Sequence, residues 1–321
     1  MDANRPLVLQ NGKIMDPALA PALAERFNVI FPDALTPENA PAVRAIVSGG
    51  GRKVDADLIS RLPALEIISN FGVGYDSVDV AAAVARDVIV THTPGVLDEE
   101  VADLTLALML ATVRCLPRAD HYVREGKWTS GPFQLTPSLR GRTVGLIGLG
   151  RIGLAIARRV EAFGVPVVYH SRTARTDVPY THYPDLVDMA RAVDALVAIL
   201  PGGAQTRHIV NEEVLGALGP DGIFVNVARG SVVDQDALIE ALRSGAILSA
   251  GLDVFAQEPN VPEALRQMEN VVLLPHVGSA TFATRAAMGR LVVKNLDAWF
   301  AGVRPVTPVP ECLELASRRA E

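Results

Sequence analysis

Cysteine is scarce. Cys115 and Cys312 are the only two in 321 residues. Two cysteines make no disulfide framework, so a reducing, cytosolic setting is expected. Clustered positive charge is missing as well. The net charge is −6 and no stretch concentrates Lys and Arg, which excludes a nucleic-acid footprint. Long apolar runs are absent: the longest, Leu104 to Val113, is too short to span a bilayer. Met1 to Gly12 has no apolar segment behind a basic start, so no signal peptide is expected. There is no internal repeat, no low-complexity tract and no set of metal ligands. What is present is 49% hydrophobic and 21% charged residues, enough apolar material for real cores. The length suggests about two domains.

Short β-branched runs alternate with helical patterns, the α/β signature. Strands are expected at Leu7–Gln10, Val29–Phe31, Ala45–Val47, Glu66–Ser69 and Val88–Thr91. A second series is expected at Thr143–Ile147, Val165–Tyr169, Ala195–Ile199, Gly222–Val225, Ala250–Asp253 and Val271–Leu274. Between them a long helix starts near Asp98, where Asp98, Glu99 and Glu100 place negative charge on its N-terminal dipole. Its body, Val101 to Leu116, is nearly all apolar and must be buried, in a core or in a subunit interface. A last helix runs from about Ala283 to Phe300.

The strongest local motif is Gly148-Leu149-Gly150-Arg151-Ile152-Gly153, which follows a strand and opens a helix. In that context G-x-G-x-x-G reads as a dinucleotide fingerprint. Gly148 makes the tight turn, Gly150 lets a pyrophosphate approach the backbone, and Gly153 permits close helix–strand packing. Free N–H groups at the helix start bind the phosphates. Gly72-Val73-Gly74 also follows a strand but lacks the third glycine.

A second signal is again an absence. NAD sites usually carry Asp or Glu about 20 residues after the first glycine, on the ribose 2′-hydroxyl. Here the strand ends in Tyr169-His170-Ser171-Arg172-Thr173, and the next carboxylate is Asp177. Arg172 can pair with a 2′-phosphate and Ser171 can donate to it, so NADP is expected. The plainer reading of Arg172 is a solvated surface residue.

Three further motifs each follow a strand end. Arg229 closes Val225-Asn-Val-Ala-Arg229; Asp253 and Glu258 lie in Gly251 to Pro259; His276 lies in Leu273 to Ser279. In open α/β sheets, ligands bind beyond the carboxyl ends of strands. Reduction of a 2-oxo acid needs donors for the carboxylate, a polarised carbonyl and a proton for the nascent alkoxide. Arg, Glu and His supply these. Singly, each could be a packing ion, a turn residue or a structural histidine.

With these motifs the sequence resembles the D-isomer-specific 2-hydroxyacid dehydrogenases. The likeness covers almost the whole chain: Asn70 to Asp76, Val101 to Asp103, Gly148 to Gly153, Asn226 to Gly230, Gly251 to Pro259 and Pro275 to Thr281. Within the family it is most similar to the NADPH-dependent glyoxylate/hydroxypyruvate and hydroxyphenylpyruvate reductases, at Leu273 to Thr281 and Trp128-Thr129. The resemblance implies that Val73 and Gly74 offer N–H groups to the substrate carboxylate. Arg229 would bind that carboxylate and polarise the 2-oxo group, His276 would be the acid/base, and Glu258 would orient its imidazole. Cofactor contacts are implied at Gly148, Leu149, Gly150, Arg151, Ile152, Gly153, Ser171, Arg172, Thr173, Pro201, Thr206, Val227, Ala228, Asp253, His276 and Gly278, with Asp253 at the nicotinamide carboxamide. It further implies two Rossmann-like α/β domains with parallel sheets, flavodoxin-like and dinucleotide-binding, the cofactor domain (98–284) inserted in the substrate domain (1–97 and 285–321). A homodimer is implied through the helix from Asp98 and the segment around Trp128.

The expected activity is reduction of glyoxylate or hydroxypyruvate to the D-2-hydroxy acid. Phenylpyruvate, hydroxyphenylpyruvate and 2-ketogluconate are alternative substrates. An NAD-linked phosphoglycerate-type dehydrogenase is disfavoured by the missing carboxylate. A cofactor-sensing co-repressor on the same fold keeps the same residues and stays open on sequence.

Overall fold

Short Val- and Ile-rich runs that are buried on both faces pair in parallel, because helices cover each side of the sheet they form. The chain builds two such sheets in two units. Met1–Leu97 with Ala280–Glu321 form the first, and Asp98–Ser279 the second. The computed structural model describes Asp2 and residues 4–318.

The first unit carries β1 (Leu7–Asn11), β2 (Asn28–Ile30), β3 (Val43–Ser48), β4 (Ile67–Asn70) and β5 (Ile89–Thr91), in the order β2-β1-β3-β4-β5. Two of its short helices, Ala56–Ser60 and Val80–Val84, start on aspartate caps: Asp55 accepts from the Leu58 N–H, and Asp79 from the Ala82 N–H. The helix Phe282–Phe300, capped by Thr281, belongs to this unit. Ser69 Oγ donates to the Val292 carbonyl at 3.3 Å, and Trp299 Nε1 donates to Glu66 at 3.0 Å. Further on, Cys312 Sγ accepts from the Val90 N–H, and Pro308 bridges Thr91.

The second unit carries β6 (Val144–Ile147), β7 (Val167–His170), β8 (Thr181–Tyr183), β9 (Ala195–Ala198), β10 (Ile223–Asn226), β11 (Ser249–Leu252) and β12 (Val271–Leu273). The order is β12-β11-β10-β9-β6-β7-β8, all parallel. Strand order reverses between β6 and β9, which opens a crevice at the carboxyl ends. β8 is one strand more than the sequence pattern predicts. Thr-His-Tyr is a half-exposed edge strand with no apolar run to mark it.

The apolar helix differs from its expected course at its end. It spans Asp98–Val113, not to Leu116. The chain turns at Cys115 (φ 52°), and a new helix, Leu116–Arg124, begins with Pro117 in its first turn, where a missing N–H costs nothing. One face of the helix is buried in its own unit, while Leu104, Ala107, Leu110 and Ala111 on its other side are not fully buried there. Ala102, Leu106, Leu108, Met109 and Val113 pack with Leu146, Ile156 and Val225 in one core. The exposed apolar side chains come later: Leu116, Val123, Trp128 (68% exposed) and Leu135 (98%). No helix among the described residues is long and apolar enough to cross a membrane.

Candidate active site

Arg229, Glu258 and His276 all lie just past strand ends of the seven-stranded sheet, after β10, β11 and β12. His276 Nδ1 lies 2.7 Å from Glu258 Oε2. Glu258 Oε1 accepts from the Phe255 N–H at 3.1 Å, so the carboxylate is fixed at both oxygens. Burial works to raise the Glu258 pKa. The hydrogen bond and charge of His276, the Phe255 N–H and the charge of Arg229 outweigh it and hold the carboxyl below its usual value. Arg229 is half-buried, and its Nη1 donates to the Ala228 carbonyl at 2.7 Å. With Nδ1 on Glu258, the Nε2 edge of His276 is left to face a ligand. The imidazole is about half exposed.

His276 sits in the left-handed region (φ 55°), a conformation that costs a side-chain-bearing residue of order 1–3 kcal/mol. Asp253 holds it there. The N–H of His276 donates to the Asp253 carbonyl (2.9 Å), that of Val277 to Oδ1 (2.7 Å) and that of Gly278 to Oδ2 (2.9 Å). Three successive N–H groups thus converge on one buried aspartate. Burial pushes the Asp253 carboxyl above its usual range, against the pull of the Val277 and Gly278 donors. The sequence expectation gives Asp253 a cofactor contact; the structure shows it as the clamp of the His276 loop.

The glycine fingerprint follows β6 at the switch point. Gly148 has φ 102°, and a Cβ there would lie 2.6 Å from the Ile199 carbonyl oxygen. A Cβ at Gly153 would lie 2.7 Å from the Gly148 oxygen, so helix and turn touch. At Gly150 a Cβ would meet nothing within 4 Å. Internal packing does not require glycine there; open space over the backbone is what it provides. Leu149 is buried and Ile152 packs against the core, while Arg151 projects from the first helical turn. Its Nε pairs with Asp98 Oδ2 at 3.1 Å.

Ser171, Arg172 and Thr173 follow β7. Ser171 Oγ donates to the Thr173 carbonyl, and Arg172 Nη1 donates to Gln205 at 3.0 Å. After β9, Thr206 Oγ1 donates to the Pro201 carbonyl at 2.8 Å and closes a turn. Val227 and Ala228 follow β10, and Gly278 follows β12. Every fingerprint and cofactor residue named from the sequence therefore lies at the carboxyl edge of this one sheet. Val73 and Gly74 lie in the first unit, in the loop after β4. Their N–H groups donate to no group of the chain among the described residues. Asn70 Nδ2 donates to the Gly72 and Gly74 carbonyls, and His92 Nδ1 lies 2.9 Å from the Val73 carbonyl.

Sequence reasoning misses the part that four side chains play in shaping these loops. Buried Asn226 accepts from the Ala228 N–H and donates to the Arg229 carbonyl, folding the turn that presents Arg229. Asn70 ties the loop of Val73 by donating to two of its carbonyls, while its own Oδ1 accepts from Ser48. Asp98 holds Arg151, and Arg175 anchors the segment after β7. An asparagine closing a strand was the available signal for the first two. The others depend on pairings between distant segments.

A model of the D-isomer specific 2-hydroxyacid dehydrogenase NAD binding domain matches residues 106–278. Glyoxylate/hydroxypyruvate reductase A of Arabidopsis thaliana is 53% identical over 268 residues, 84% of this chain and 86% of that protein. Hydroxyphenylpyruvate reductase of Plectranthus scutellarioides is 49% identical over 270 residues, again 84% and 86%. Among solved structures, an NADPH-dependent glyoxylate/hydroxypyruvate reductase of Sinorhizobium meliloti, in complex with NADP and malonate, is similar at TM-score 0.92 and 52% identity, covering 96% of this chain and 97% of that one. Fold, strand-end residues and these likenesses agree: the chain belongs to the D-isomer specific 2-hydroxyacid dehydrogenase family.

Proposed function

We propose that the chain reduces a small 2-oxo acid of the glyoxylate and hydroxypyruvate class to the D-2-hydroxy acid, with NADPH. The observation that carries this reading is the 2.7 Å pair of His276 and Glu258, set beside Arg229 at the edge that also bears the glycine fingerprint. The open space over Gly150 fits a pyrophosphate, with Arg151 and Ile152 at the helix start. Arg172, Ser171 and Thr173 would take the 2′-phosphate, with Pro201 and Thr206 near the adenosine. Val227, Ala228, Asp253, His276 and Gly278 would line the nicotinamide end. When bound, NADPH supplies the hydride that the 2-oxo carbon accepts.

The chain's own residues do the rest. Arg229 holds the substrate carboxylate in its guanidinium fork and draws charge from the 2-oxo group. In the first unit, the N–H groups of Val73 and Gly74 are the donors proposed for a carboxylate. Protonated His276 gives its Nε2 proton to the oxygen as negative charge builds there. Its Nδ1–H stays on Glu258, which stabilises the charged ring before the transfer and keeps its orientation after it. An NADPH-oxidation panel of glyoxylate, hydroxypyruvate, phenylpyruvate, hydroxyphenylpyruvate and 2-ketogluconate tests the reading. The two small acids should turn over fastest. Absence of turnover with all five would replace it with a cofactor-sensing role.

Cofactor choice gives a second test. Arg172→Ala should raise the KM for NADPH by about tenfold or more, equivalent to about 1.4 kcal/mol, and leave that for NADH nearly unchanged. Equal use of both cofactors by the unaltered enzyme would defeat the assignment.

The same reading includes a cytosolic homodimer. The exposed Leu116, Val123, Trp128 and Leu135, four large apolar side chains within twenty residues of chain, support the assembly. Light scattering at micromolar concentration should give about twice 34.1 kDa. Trp128→Glu should shift the mass toward the monomer. A monomeric unaltered enzyme would sink the dimer.

A further inference from the structure

The seven residues after β7, Ser171 to Asp177, are tied down more firmly than their exposure suggests. His182 Nε2 lies 2.9 Å from the Ser171 carbonyl. The Arg175 N–H donates at 2.7 Å to the hydroxyl of Tyr169, whose ring is wholly buried. The Arg175 side chain then spends its whole fork. Nη1 donates to the Leu149 carbonyl in the glycine loop (2.8 Å), while Nε and Nη2 reach the two oxygens of Asp177 (2.9 and 2.5 Å). Such a bidentate pair fixes geometry as well as charge. Asp177 is the first carboxylate after β7, the type of residue that repels a 2′-phosphate.

We propose that Arg175 is a positioning residue for cofactor choice: by neutralising Asp177 and tying its loop to Leu149, it leaves Arg172 and Ser171 facing the 2′-phosphate without a competing carboxylate. This rests on the proposed NADPH reading. Arg175 acts through Asp177 and the loop and makes no contact with the phosphate. Without it, Asp177 is an unpaired negative charge on a loosened loop, within reach of a doubly charged group. At low ionic strength such a charge weakens an anion by about tenfold, and salt screens the effect.

Calorimetric titration of the full-length enzyme with 2′,5′-ADP and with 5′-AMP tests this without turnover. The unaltered enzyme should bind 2′,5′-ADP at least about tenfold more tightly than 5′-AMP. Arg175→Ala should remove about tenfold of that ratio by weakening 2′,5′-ADP, with 5′-AMP affinity within about twofold of normal as the sign of an intact fold. Adding Asp177→Asn to Arg175→Ala should recover most of the lost ratio. A full ratio in Arg175→Ala overturns the inference. So does a double variant as weak as the single one, since Arg175 would then be a direct phosphate ligand. An unaltered enzyme that does not distinguish the two probes overturns the NADPH reading itself, and this inference with it.

Discussion

His276→Ala should lower kcat by ~10²–10⁴-fold while NADPH binding, followed by fluorescence titration, stays near normal. The loss falls on kcat because the proton leaves Nε2 only as charge develops on the substrate oxygen. Glu258→Gln separates orientation from charge, since glutamine keeps the shape of the side chain and removes its negative charge. The imidazolium then loses its counter-ion, so the basic limb of the pH profile for reduction should move to lower pH. The acid side has its own sign. The folded Glu258 carboxyl titrates below its unfolded value, so the contribution of its pair is complete above the ordinary carboxylate range. That contribution is lost as pH falls through the lowered value. At working pH the carboxylate is therefore ionised and available. Near-normal turnover in His276→Ala, or an unmoved basic limb in Glu258→Gln, would remove the acid/base assignment.

Gly230→Ala should damage stability and catalysis together. Gly230 follows Arg229 directly, and a Cβ there would land on the backbone carbonyl of Phe255. Phe255 is the residue whose N–H holds Glu258 Oε1. Glycine at 230 therefore allows the Arg229 loop and the Glu258 loop to touch backbone to backbone. A methyl group forces them apart. Overpacking of this kind costs ~1–3 kcal/mol, more where the obstacle is main chain. Thermal unfolding should drop by several degrees, at roughly 2–4 °C per kcal/mol for a unit of this size. The displaced Glu258 should also lower kcat. An alanine variant with unchanged Tm and unchanged kcat would show that the two loops are not coupled at this point.

The parts of the fold legible in the sequence are those with strong local patterns. β6 with its glycine loop follows from spacing alone, and the strand-end positions of Arg229, Glu258 and His276 follow from short buried runs ending in polar residues. β8 does not, because three half-exposed edge residues carry no apolar signal. The break after Val113 was written in Pro117, but a nearly all-apolar composition up to Leu116 outweighed it. The covering of that helix could not be read either, since an all-round apolar helix looks the same in a domain core and in an interface. At the candidate site, the strand-end positions of these residues were legible and their supports were not. Asp253 clamping three N–H groups, or Arg175 dividing its fork between Leu149 and Asp177, depends on a strained backbone and on loops brought together by the sheet. No spacing rule encodes either one.

The order in which the chain can become native follows from where the helix Phe282–Phe300 belongs. Asp98–Ser279 is one continuous stretch with its own sheet and core, so nothing it needs is still unsynthesised when residue 279 leaves the ribosome. The first unit is made first and finished last. β4 waits for the Val292 carbonyl, and β5 waits for Pro308 and the Cys312 sulfur. During that wait the apolar sheet edge from β4 to β5 stands uncovered, for a span of more than 180 residues of synthesis. At about 5–20 residues per second that is tens of seconds or less, the interval in which the nascent chain is most open to chaperones and to aggregation.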